Sequence, residues 1–238
     1  MKKFLLGTVA LVALGAPALA ADMAARPVYS KAPAYAAPIY NWTGFYIGGH
    51  IGGEFGGNNG FPGTLNSSNS GSFLGGLQGG ADYQFAPNWV VGIEGQYSWL
   101  SNNNSVTFPN GSIYTNNQRG LGSVTGRLGY TWGPALLYAK GGYAYSNYNE
   151  SLFNGGVAVP YALNGSHHDG YTVGAGLEYM FAQNWSAKVE YQYYNFGNTS
   201  FVTPVALAPF GSTRNDEHTV KAGLNYRFNW GGPVVAKY

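Results

Sequence analysis

Cysteine is absent from all 238 residues. That excludes disulfides, thiolate metal sites and a lipid-carrying N-terminal cysteine. Charge is scarce too: 9% of residues are Asp, Glu, Lys or Arg, where a soluble domain carries about a quarter. A net charge of +2 is too small to attract nucleic acid, so none is expected as a partner. Beyond the first 20 residues no apolar run reaches the roughly 18 that a membrane helix needs. The space is filled by Gly (37), Tyr (20), Asn and Ser, and mean hydropathy is slightly negative at −0.15.

Residues 1–20 read as a cleaved signal peptide. Lys2 and Lys3 supply the positive end, Phe4 to Leu14 the apolar stretch, and Ala18-Leu19-Ala20 the small-residue cleavage site. Residues 21–41, with Pro27, Pro33 and Pro38 among single tyrosines, read as an extended Ala/Pro-rich periplasmic linker. Residues 42–230 form the folded unit, and 231–238 a short tail.

Within that unit the segment DYQFAPNWVVGIEGQYSW (82–99) alternates with period two, broken by APN. Tyr83, Phe85, Trp89, Val91, Ile93, Tyr97 and Trp99 share one face. Asp82, Gln84, Val90, Gly92, Glu94, Gln96 and Ser98 share the other. This is a β-hairpin signature. Eight such strands are expected, near 43–55, 72–85, 89–100, 119–130, 135–145, 170–181, 185–196 and 215–228. Each is long enough to cross a bilayer as a tilted strand, which takes about 9–11 residues. Short connections (86–88, 131–134, 182–184) alternate with long Asn/Ser/Gly-rich ones (56–71, 101–118, 146–168, 197–214). That alternation marks a bacterial outer-membrane barrel, with short turns on one rim and long loops on the other.

The charges decide which face is inside. No charged residue shares the apolar register of the strands. The opposite register holds five acids (Glu54, Asp82, Glu94, Glu178, Glu190) and five bases (Arg127, Lys140, Lys188, Lys221, Arg227). Lys or Arg on a lipid face costs about 2–4 kcal/mol at midplane, and enclosed charges must pair to offset desolvation. Exclusion from one face and balance on the other therefore predict lipid outside and an ion-paired lumen inside, with Glu178 opposite Lys188 across the AQN turn. Inward glycines (Gly76, Gly80, Gly92, Gly142, Gly174, Gly176, Gly223) make room for long neighbours. The tryptophans Trp42, Trp89, Trp99, Trp132, Trp185 and Trp230 fall at strand ends and are expected to form an aromatic girdle at the two membrane interfaces.

The stretches WTGFYIGGHIGG (42–53), VTGRLGYTWGPALLYAKGGYAY (124–145), TVGAGLEYMFAQNWSAKVEYQYYNFG (172–197) and VKAGLNYRF (220–228) resemble the small alphaproteobacterial outer-membrane proteins. These are the outer-membrane immunogenic proteins, or porin-family opacity-like surface antigens. The resemblance implies an all-β, eight-stranded antiparallel up-and-down barrel of the OmpA transmembrane type, located in the bacterial outer membrane. It carries over no catalytic motif. Barrels of this kind end on an aromatic residue read by the insertion machinery; here Phe228 and Tyr238 are the two candidates.

Chemistry-bearing residues are few. His50 falls in the inward register as a lumen residue, and His218 in the outward one. His167-His168, on a long loop, is the one candidate for haem or metal, although adjacent histidines do not supply a closed ligand set by themselves. The expectation is a non-catalytic, cofactor-free, monomeric protein of structural and envelope-integrity role, its lumen filled by ion pairs and its loops exposed. Expected partners are outer-membrane lipid and lipopolysaccharide, the barrel-insertion machinery and extracellular molecules at the loops. A narrow porin-like channel for small solutes, and haem or ligand binding by the loops, remain as alternatives. A soluble lipocalin-like barrel would require the apolar face inside.

Overall fold

The computed structural model describes residues 40–56, 66–67, 71–164, 168–203 and 212–229. The expected signal peptide, most of the linker, Trp230, His167 and the tail lie outside the described residues. Eight long strands form the body: β1 (Gly44–Gly56), β3 (Ser72–Ala86), β4 (Trp89–Thr107), β5 (Ser112–Trp132), β6 (Ala135–Asn154), β9 (Asp169–Ala182), β10 (Trp185–Thr203) and β11 (Ser212–Asn229). Each pairs antiparallel with its neighbour in the order β11-β1-β3-β4-β5-β6-β9-β10, and β10 returns to β11. The sheet is thus a closed ring without an open edge, as the sequence pattern predicts. Three short strands, β2 (Asn66–Ser67), β7 (Val157–Ala158) and β8 (Ala162–Asn164), attach to β4, β6 and β10. At the tight β5–β6 turn Gly133 takes φ 64°, a conformation that favours glycine.

The polarity of the ring is inverted relative to a water-soluble barrel. Phe73 is 70% exposed on the outside, and Ile93, Val124 and Leu77 are similarly bare. Glu178, on the inside, is fully enclosed. Period-two alternation places every neighbour of an outward apolar residue into the lumen. Water outside would leave this belt unsatisfied, whereas hydrocarbon satisfies it.

Two expectations are corrected. The stretches 101–118 and 146–168 are mostly strand rather than loop: β4 continues to Thr107, β5 begins at Ser112, and β6 runs to Asn154. Asn and Ser, which fill much of these stretches, are weak strand formers, but an antiparallel partner that already exists continues to satisfy their backbone groups. Where the pairing outruns the barrel, Val106, Phe108, Tyr114 and Leu152 bury one face, covered by Val159, Tyr161 and Leu163. Tyr161 lies against Glu150, its hydroxyl 3.4 Å from the carboxylate, and burial followed by that charge pushes its pKa up.

The second correction is Trp42. It does not join the outer girdle with Trp89, Trp99, Trp132 and Trp185, which are all exposed. It turns into the barrel at the short-turn end and is 1% exposed. Its indole Nε1 donates to the Gly133 carbonyl at 3.1 Å, and its backbone N–H to Gln84 Oε1 at 3.1 Å. Trp42 precedes β1, so the strand alternation that orients the other tryptophans does not bind it. Tyr40, from the end of the expected linker, packs beside it.

Candidate functional site

The lumen is layered. At the short-turn end Trp42, Val90, Leu136, Tyr138 and Met180 form an apolar floor. Towards the long-loop end Leu74, Leu100, Leu121, Ala144, Tyr194 and Phe196 form a second apolar layer. Between them lie nine of the ten predicted lumenal charges. All ten, Glu54 included, are buried and inward-facing.

Glu94, the sixth of the 19 residues of β4, is the hub. Its oxygens accept from Lys140 Nζ at 2.7 Å, Lys188 Nζ at 2.9 Å, Tyr46 Oη at 2.7 Å and Gln96 Nε2 at 2.8 Å. Glu190 of β10 meets Lys140 at 3.0 Å, Lys188 at 3.4 Å and Lys221 at 3.4 Å. Two carboxylates and three ammonium groups therefore interlock across the lumen. Nearer the floor, Asp82 is clasped by Arg127 and Arg227 together. Arg127 also reaches Glu178 at 3.1 Å. The guanidiniums lie on aromatic faces: Arg127 is 4.7 Å from the Tyr46 ring, and Arg227 is 4.6 Å from Trp42. Such contacts stabilise a desolvated cation.

Glu178 and Lys188 stand opposite each other across the β9–β10 ladder, but they do not form the predicted ion pair. Lys188 reaches over the lumen to Glu94 and Glu190. Glu178 is taken by Arg127 and by Asn225, Nδ2 to Oε1 at 2.9 Å, and Ser186, Oγ to Oε1 at 2.5 Å. Long side chains in a narrow ring find partners on far strands as readily as on adjacent ones.

A neutral chain completes the layer. Ser98 Oγ lies 2.8 Å from His50 Nε2, His50 Nδ1 lies 3.1 Å from Gln78 Oε1, and Gln78 Nε2 donates to Asn225 Oδ1 at 2.6 Å. Because Gln78 Oε1 only accepts, Nδ1 carries the proton and Nε2 accepts from Ser98. This brings a hydroxyl and an imidazole together as a nucleophile–base pair would require, and both are enclosed.

One inward acid escaped the sequence reading. Glu217 has the same parity as Thr219 and Lys221 on β11, which was the available signal, and it is buried beyond the second apolar layer. Its Oε1 accepts from Gln118 at 2.8 Å and from Tyr148 at 2.7 Å. Of the haem or metal candidates, His168 is held by Nδ1 at 3.0 Å from the Ser146 carbonyl and lies beside Tyr145 and Tyr148. Among the described residues no three His, Asp or Glu side chains are grouped to hold a metal ion.

The inward glycines make this packing possible. A Cβ on Gly80 would stand 2.5 Å from the Tyr46 hydroxyl, and one on Gly176 2.5 Å from that of Tyr138.

Residues 6–228 match the profile of the outer membrane protein beta-barrel domain. The chain is 32% identical to the 31 kDa outer-membrane immunogenic protein of Brucella melitensis biotype 1, over 93% of this chain and 99% of that relative. It is 30% identical to the 25 kDa outer-membrane immunogenic protein of Brucella abortus biovar 1, over 96% and 99%. Among solved structures, the outer membrane protein OprG from Pseudomonas aeruginosa superposes with a TM-score of 0.52 at 15% identity, over 80% of this chain and 98% of that one. That likeness is one of fold.

Proposed function

The chain belongs to the outer membrane protein beta-barrel family and is an outer-membrane protein, and on that premise we propose that it is a closed, non-catalytic barrel. In this reading it anchors a surface-exposed sheet and contributes to envelope integrity rather than conducting solutes. The observation that carries the reading is the interlocked group of Glu94, Glu190, Lys140, Lys188 and Lys221 spanning the lumen, with the Trp42 floor on one side. An eight-stranded ring leaves an interior that side chains just fill. A passing solute would have to part ion pairs whose partners would then be desolvated and alone, at a cost of several kcal/mol each.

Supporting the surface role, the β4–β5 and β5–β6 pairings project beyond the barrel with an apolar cluster of their own. A folded platform of this kind presents side chains at the long-loop end in fixed positions, as binding loops on rigid scaffolds do. Planar-bilayer recording of the purified monomer tests the closed barrel. The expected trace is flat; a stable, large unitary conductance overturns the proposal in favour of a passive channel.

A further inference from the structure

On its outward face β11 runs Phe228, Tyr226, Leu224, Ala222, Val220 and then His218, Asp216, Arg214. The change from apolar to ionisable takes one step, between Val220 and His218. The expected exclusion of charge from the outward register therefore holds along the apolar belt but not at Asp216, which lies within the expected strand 215–228 and beyond that belt. This is the height at which acyl chains give way to headgroups, on the long-loop and therefore outer-leaflet side.

The side chains there are organised. His218 faces Tyr193 across the ladder and Phe55 on the other side. Its ring stacks on Tyr191 at 6.1 Å and 29°, and tilts against Tyr193 at 5.1 Å. The Tyr191 hydroxyl meets Nδ1 at 2.7 Å, so Nε2 is the remaining polar atom of a half-buried, oriented imidazole. Asp216 lies 3.5 Å from the Tyr193 hydroxyl and 3.8 Å from Arg214 Nε, so its charge is offset inside the patch. The Arg214 side chain is 64% exposed, leaving most of its guanidinium fork outward. Glu217, between these residues in sequence, points into the lumen. Ring faces, an oriented imidazole nitrogen and a free guanidinium edge form a platform for a sugar that carries an anionic group.

We propose that Tyr191, Tyr193, His218 and Arg214 hold the phosphate-bearing headgroup of an outer-leaflet glycolipid. Arg214 and His218 Nε2 donate to the phosphate oxygens and the tyrosine rings pack the sugar. The site rests on the outer-membrane location and is independent of whether the lumen conducts.

The test uses the full chain folded in phosphatidylcholine nanodiscs doped with either phosphorylated or dephosphorylated lipid A. The discs are then extracted into mild detergent, and the retained glycolipid is counted by native mass spectrometry. Wild type is compared with His218→Gln/Arg214→Gln, and heat-modifiable gel migration confirms that both are folded. The expected result is at least about tenfold less phosphorylated glycolipid on the double variant, since either one of the two lost charge-assisted hydrogen bonds alone accounts for that factor, and equal, low retention of the dephosphorylated form by both proteins. Equal retention of the phosphorylated form by the two proteins overturns the site. So does wild-type retention that ignores the phosphate, and so does complete displacement by inorganic phosphate, which would make the ligand a free anion. Bilayer conductance plays no part in this readout, so failure here leaves the closed barrel standing, and a conducting barrel leaves this site standing.

Discussion

Glycines on the two faces of the same strands live under opposite constraints. On the lumen side, a Cβ at Gly92 would strike the Asp82 carboxylate, and one at Gly80 would strike Tyr46. On the lipid side, a Cβ at Gly126 meets nothing within 4 Å, and one at Gly95 meets its nearest atom at 3.9 Å. The inside of this barrel is packed to its limit by long polar side chains, while the outside is a loose apolar belt. The same residue type is obligatory on one face and expendable on the other. The energetics differ in kind as well: the lumen is held by partners that must all be present, the belt by contact with lipid that tolerates any apolar shape.

The sharpest way to break this contrast is to remove one lumenal partner. Glu94→Ala strands Lys140 and Lys188 with Glu190 alone and is expected to cost about 3–5 kcal/mol. Urea unfolding in lipid vesicles reads this, and a loss near zero would mean that the ion pairs are ornamental. Next comes an outward charge: Val124→Lys, opposite Gly95 and close to midway between Trp89 and Trp99 of β4, should cost about 2–4 kcal/mol in the same assay. If Val124→Lys is neutral, the lipid face has been assigned wrongly. Gly80→Ala should lose about 1–3 kcal/mol by overpacking against the Ile93 carbonyl and the Tyr46 ring, read in the same unfolding assay. The smallest effect has the opposite sign. Gly126→Ala should gain about 0.5–1 kcal/mol, since strand glycine carries an entropic cost and nothing opposes the methyl group. Equal losses at Gly80 and Gly126 would erase the distinction between the faces.

Much of the fold was legible because strand alternation is local. In the hairpin at 82–99 parity grouped Ile93 with Trp99 and Asp82 with Glu94. The charges counted over all eight strands turned the first pair outward and the second inward, and the structure places each side chain so. Parity also reached Glu217, which the sequence reading passed over. It did not reach Trp42, which stands before the first strand and is oriented by Gly133, Gln84 and Arg227, far away in sequence. Nor did Asn- and Ser-rich composition reveal that β4 and β5 continue past the barrel, because a neighbouring strand can carry polar residues that have little strand preference themselves.

The amino-acid order by itself determined the number of strands, the faces, and the segregation of charge from the lipid side, since each follows from a period of two along a single strand. Tertiary structure alone decided which charge meets which. Glu178 and Lys188 are neighbours on adjacent strands, yet Arg127 and Glu94 claim them from across the lumen. The stagger and tilt of the closed ring set the height of each side chain relative to the strands opposite. Those heights exist only once the first and last strands have met.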